Sequence, residues 1–205
     1  MRPLPRLHAV TDAAVRGLPD LGTRAAAIAA GGSAVALHAR DRNATAADLA
    51  ALADRFVTLT MPSEASAFVN GRPDIARAVG AQGVQLGKDD LAPDDVRGAF
   101  PGLLIGRSVH SMAEAEAAAG GVDYLLLGSI FETASHRDVA PLGLGPLRAV
   151  ARLGVPVIAI GGMTPARARD ARDAGAYGVA AIRGLWLAED PAAAALRFLE
   201  PWMDQ

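Results

Sequence analysis

Eight short apolar runs recur along this chain, at 7–11, 34–37, 67–69, 83–86, 104–108, 124–128, 156–160 and 178–182. An alanine-rich amphipathic stretch separates most of them from the next run. Strands that alternate with helices in this way predict an all-parallel sheet covered by helices. A closed (β/α)8 TIM barrel is preferred over a doubly wound sheet. The doubly wound fold calls for a glycine-rich turn after its first strand, and here that place reads Val10-Thr11-Asp12-Ala13-Ala14. The 205 residues are expected to form one domain spanning 1–205. Helix signals sit where the alternation needs them. Thr164 is placed to cap a helix that begins at Pro165. Ser111 with Glu114 spells a capping box, and Thr45 with Asp48 a weaker one. Gly175 follows Ala174 as a helix stop.

Composition removes several classes of function. Apolar residues make up 51% of the chain, which argues against disorder. The net charge of −2 (20 basic against 22 acidic residues) argues against a general nucleic-acid binder. With no cysteine, disulfides, thiolate metal sites and cysteine nucleophiles are excluded. Met1 to Pro5 carries two prolines with no apolar run behind it, which reads as no signal peptide. No apolar stretch is long enough for a membrane span. A cytoplasmic protein with neither a membrane nor a nucleic acid as partner is the expectation.

In a barrel of this kind the chemistry gathers at the C-terminal ends of the strands. Gly161 and Gly162 end the seventh run, and Ile182 with Arg183 ends the eighth. Neighbouring strand tips of this type hold phosphate through backbone amides. Arg40 is costly to bury without a partner, so it is expected to grip a substrate carboxylate in bidentate fashion. His38 falls on the same face as Arg40 if both lie in a regular strand. It is an acid/base candidate, with a packed core histidine as the alternative. Asn70, Ser108 and Thr133 are the polar groups expected to touch substrate. His136 lies in a polar Thr-Ala-Ser-His-Arg-Asp loop that reads as a lid or as plain exposed surface. Lys88, Asp89 and Asp90 form either a functional cluster or a solvated loop. His8 is expected to be structural, Asp123 to cap or pair at the foot of the sixth strand, and Trp186 and Trp202 to pack.

The motifs carry a resemblance. They are His-Ala-Val-Thr-Asp at 8–12, Val-Asn-Gly-Arg-Pro-Asp-Ile-Ala at 69–76, Gly-Val-Gln-Leu at 83–86, Ile-Gly-Arg-Ser-Val-His-Ser at 105–111, Gly-Ser-Ile-Phe-Glu-Thr at 128–133 and Pro-Val-Ile-Ala-Ile-Gly-Gly-Met-Thr-Pro at 156–165. In order and spacing they resemble the thiamine phosphate synthase/TenI superfamily over nearly the whole chain. The resemblance implies the barrel and a small phosphorylated thiazole metabolite as partner. Assembly into a homo-oligomer is compatible with it.

Two branches are implied. The synthase branch couples a pyrimidine diphosphate to a thiazole phosphate with Mg²⁺. The resemblance puts a lysine where this chain has Arg42, a metal-binding aspartate at Gly71 and a diphosphate-gripping lysine at His136. Asp90 matches the second metal-binding aspartate. The TenI branch aromatises a carboxythiazole phosphate tautomer, which is a proton transfer needing an acid/base group but no metal or other cofactor. Asn70-Gly71-Arg72 and 105–111 fit that branch, although Ser129 stands where its histidine is expected. The reading is therefore a thiazole tautomerase, an isomerase with no cofactor. Its catalytic candidates are His38, Ser129 and His136, with Arg40 on the carboxylate and Gly161, Gly162, Ile182 and Arg183 on the phosphate. The alternatives are a thiamine phosphate synthase and a non-catalytic phosphometabolite-binding or regulatory paralogue.

Overall fold

The computed structural model describes residues 3–133 and 140–203. Eight parallel strands close into a barrel in sequence order: β1 (Leu7–Val10), β2 (Val35–Ala39), β3 (Ser66–Asn70), β4 (Gly83–Leu86), β5 (Leu104–Val109), β6 (Tyr124–Leu127), β7 (Val157–Ile160) and β8 (Gly178–Ala181). β8 pairs back onto β1, with Leu7 opposite Val179. The expected (β/α)8 architecture is the one observed.

The outer helices are α1 (Ala13–Arg16), α2 (Leu21–Ala29), α3 (Ala46–Thr60), α4 (Pro73–Val79), α5 (Pro93–Ala99), α6 (Met112–Ala118), α7 (Leu144–Val150), α8 (Pro165–Asp173), α9 (Arg183–Trp186) and α10 (Pro191–Leu199). Their starts follow local chemistry. The Thr164 hydroxyl accepts from the Arg167 amide and Pro165 opens α8. Ser111 accepts from the Glu114 amide at the head of α6, while the Glu114 carboxylate accepts from the His110 amide at 2.8 Å, one residue before the position of a strict capping box. Gly175, with φ +95, turns the chain after α8 as expected.

Side chains alternate along every strand, which builds two cores. Leu7, Ala9, Val35, Leu37, Val69, Val84, Leu125, Val157 and Val179 face outward and bury the helices. Val10, Ala36, Phe68, Tyr124, Leu126, Ile158 and Ala180 fill the barrel. Large inward rings need small neighbours: a Cβ at Gly106 would stand 2.5 Å from the Tyr124 hydroxyl, so glycine makes the room for that ring. β2 runs two residues past its expected end. His38 therefore lies inside the sheet, with Val10 and Phe68 as its register partners, and Arg40 is the residue just beyond the strand. A histidine is tolerated there because His8, on the adjacent strand, meets it inside the barrel.

Candidate active site

A cavity of about 860 Å³ opens at the C-terminal end of the strands. The ends of β7 and β8 form one wall, where Gly161, Gly162, Met163, Ile182, Arg183 and Gly184 line the space. Gly161 and Gly162 adopt φ +102 and +62, which only glycine enters without strain. A Cβ on Gly161 would also stand 2.6 Å from the Ser129 Cβ. The Arg167 guanidinium braces this turn by donating to the Gly162 carbonyl at 2.6 Å while lying over the Phe131 ring.

Across the mouth, the loop after β2 contributes Arg40 and Arg42, and the loop after β4 contributes Lys88. Thr11, buried at the end of β1, fixes the Arg40 backbone. Its hydroxyl accepts from the Arg40 amide at 2.9 Å and lies 2.8 and 3.0 Å from the carbonyls of Arg40 and His38, to either of which it donates. Burial lowers the Arg40 pKa and the neighbouring Arg42 charge adds to this, against the opposing pull of Asp12 and Asp41. The guanidinium stays charged at neutral pH, and it forms no ion pair among the described residues. Asp41 is already engaged by Arg16 at 2.6 Å. A cation held this way is best met by an anionic ligand.

The cavity lining also includes Asn70, Ser108, Ser129 and Thr133. Ser108 accepts from the Gln85 amide at 3.0 Å. The structure thus brings Arg40, Asn70, Ser108, Ser129, Thr133 and the four phosphate candidates to one space. His38 is not part of the wall: it is fully buried behind Asn70, whose side chain lies 3.2 Å from its Nδ1. His136 lies outside the described residues. His110 is the histidine that the described residues place on the cavity wall, and its Nδ1 meets the Gly128 carbonyl at 2.5 Å. Arg42 and Lys88 were legible as charges at strand tips. The bracing roles of Thr11 and Arg167 depend on contacts between distant segments.

A metal clamp of the kind the synthase resemblance implies does not fit these residues. Gly71 holds the position of its first aspartate, and a Cβ there would stand 3.1 Å from Asp90 Oδ1, so the missing carboxylate would have adjoined Asp90. Asp90 alone remains, with its Oδ2 accepting from the Gly87 amide at 2.6 Å. Among the described residues, no group of three or more His, Cys, Asp or Glu side chains is placed to hold a metal ion. Nor is any helix of the described residues long and apolar enough to cross a membrane.

Residues 7–185 match the family described as thiamine monophosphate synthase. The thiamine-phosphate synthase of Chloroflexus aurantiacus is 38% identical over 93% of this chain and 89% of its own length. That of Methanoculleus marisnigri is 40% identical over 92% and 91%. Among solved structures, thiamine phosphate pyrophosphorylase from Pyrococcus furiosus superposes with a TM-score of 0.82 at 31% identity, covering 96% of this chain and 94% of its own. These relatives correct the expectation of a TenI tautomerase, and of an isomerase with it, because they are named as synthases. The geometry also corrects one residue role: His38, expected as the acid/base, is buried behind Asn70 and does not reach the cavity.

Proposed function

Because this chain belongs to the thiamine phosphate synthase/TenI family, we propose that it is a transferase that joins a pyrimidine carried on a diphosphate to a thiazole phosphate. One observation carries the reading. A single cavity has two anion-seeking walls on different strands, the cationic rim of Arg40, Arg42 and Lys88 and the glycine-turned ends of β7 and β8. A tautomerase of a carboxythiazole phosphate asks for one carboxylate contact beside one phosphate site, whereas a rim of three cations suits the larger charge of a diphosphate.

In the reaction, the bond between the pyrimidine-bearing carbon and the diphosphate oxygen breaks, and the diphosphate leaves with the electron pair. A thiazole ring nitrogen supplies the pair for the new bond to that carbon. Charge builds on the leaving diphosphate, and donors preorganised at that place lower the barrier most. Arg40 and Arg42 suit this task, since guanidinium groups meet phosphate oxygens in pairs. The backbone of Gly161, Gly162, Ile182 and Arg183 holds the thiazole phosphate, and Ser108, Ser129 and Thr133 line the space between the two anions. No proton has to move to or from carbon in this step. The missing partner of Asp90 shifts the neutralisation of diphosphate toward the arginines.

The test is a coupling assay with both substrates, with and without Mg²⁺, following thiamine phosphate and diphosphate together. Stoichiometric appearance of both products is expected. Binding of both substrates to folded protein with no product under either condition would refute the transferase.

A further inference from the structure

We propose that His8 and His38 are positioning residues that lock the Asn70 amide with its carbonyl oxygen toward the cavity, so that this wall accepts a hydrogen bond from an N–H or O–H donor on the substrate heterocycle. The identity of the heterocycle rests on the transferase reading; the orientation of the amide does not.

The argument is a proton count along one chain of contacts. His8 Nε2 lies 3.1 Å from the Pro5 carbonyl. A carbonyl only accepts, so this nitrogen carries a hydrogen. His8 Nδ1 lies 2.8 Å from His38 Nε2, and one hydrogen is shared between them. If both rings are neutral, His8 Nδ1 is a lone pair and His38 Nε2–H donates to it. His38 Nδ1 is then also a lone pair. The Asn70 terminus 3.2 Å away is assigned as Oδ1, but an oxygen there would set two lone pairs against each other, so the amide is reversed and its NH₂ takes that place. Amide nitrogen and oxygen are interchangeable in shape, so the hydrogen-bond network decides which is which. Asn70 lines the cavity, and with its NH₂ on His38 the carbonyl oxygen is the terminus left for that space.

The amide with its oxygen on His38 requires a hydrogen on His38 Nδ1. The four ring nitrogens would then carry three hydrogens, and one imidazole would be a cation. Both rings are fully buried. His38 stacks on Phe68 at 4.9 Å between centroids, and Tyr124 lies 5.2 Å from His8. The charged group that His38 feels is Arg40, of the same sign. A buried cation with no anion beside it is the costlier state, so the neutral pair and the outward carbonyl follow. Burial also lowers the proton affinity of both rings, in the same direction.

Long-range ¹H–¹⁵N spectra of histidine-labelled protein at pH 7 test the orientation directly. Both His8 and His38 should be Nε2–H tautomers with unprotonated Nδ1. A His38 protonated at Nδ1 would overturn the proposal. Binding of an aminopyrimidine diphosphate and of its analogue with hydrogen replacing the amino group tests the recognition. The analogue should bind about tenfold more weakly, as when a buried acceptor loses its donor. His38→Gln keeps a donor and an acceptor and should preserve that ratio. His38→Leu should collapse it below about threefold while leaving the affinity for the analogue nearly unchanged; a mere packing defect would weaken both compounds alike. Equal binding of the two compounds by the unaltered protein would overturn the recognition. If neither compound binds folded protein, the transferase reading fails, and the tautomer spectrum still decides the orientation. The same spectrum decides it if His38→Leu does not fold.

Discussion

Acid should unfold this barrel from within, through its paired histidines. Burial holds the His38 imidazole down at about 4, and the Arg40 charge adds to the depression. His8 is also lowered, by burial first and then by His38, although its bond to Pro5 opposes this. In the unfolded chain a histidine takes up its proton near 6.5. Between that value and the folded one, the unfolded state binds more protons, so stability falls as the pH falls. The contribution is complete above about pH 6.5 and is lost on the way down to the folded pKa. For His38 the interval from 6.5 to about 4 corresponds to about 3 kcal/mol. Between pH 7 and pH 5 the loss is about 2 kcal/mol for His38, and His8 shifts stability in the same direction. Carboxylates with depressed values, such as Asp41 and Asp74, titrate lower and leave this window to the histidines. Guanidinium unfolding at the two pH values measures the difference, and a His8→Gln/His38→Gln double variant should flatten it. A change below about 1 kcal/mol in the unaltered protein would refute the reasoning.

Other outcomes follow from single residues. Arg40→Gln should weaken inorganic diphosphate binding roughly tenfold by calorimetry, the value of a charge-assisted pair; unchanged affinity would remove Arg40 from the diphosphate wall. Gly71→Asp should restore a carboxylate beside Asp90 and tighten Mg²⁺ binding at least about tenfold. The same substitution should cost about 1 kcal/mol of stability, because φ there is +72. Equal Mg²⁺ affinity in both proteins would show that the Asp90 side of the cavity is no half-built cation site. The Tyr124 hydroxyl is buried with no hydrogen-bond partner among the described residues. Tyr124→Phe should therefore leave thermal unfolding unchanged or raise it, and a loss above about 1 kcal/mol would reveal a bond to that oxygen.

The repetitive part of the fold was legible because it is local. Strand ends agreed to within two residues, and Thr164, Ser111 and Gly175 capped or stopped the helices they were expected to. Asp123 does serve the foot of β6 as read, accepting from the Ile105 amide and pairing with Arg97. The placement of His38 was not legible. Its face follows from strand alternation, but its burial depends on meeting His8 across a register that the sequence does not state. The branch of the family was misread for a related reason. Gly71, Ser129 and His136 each depart from a local pattern, and those departures outweighed a similarity that extends along the whole chain. The rim of Arg40, Arg42 and Lys88 becomes a wall only when β2 and β4 bring their loops to one opening.

The pairing of β8 with β1 has a consequence in time. Leu7 must wait for Val179, and Leu4 for the hydroxyl of Tyr177, which donates to its carbonyl. At roughly 5–20 residues per second of synthesis, the first strand spends about ten to thirty seconds with one edge unpaired on the ribosome. An open strand edge invites pairing with other chains. The last strand is thus the one that makes the first strand safe, and a ribosome that stalls before Gly178 leaves a sheet with two open edges where the finished protein has none.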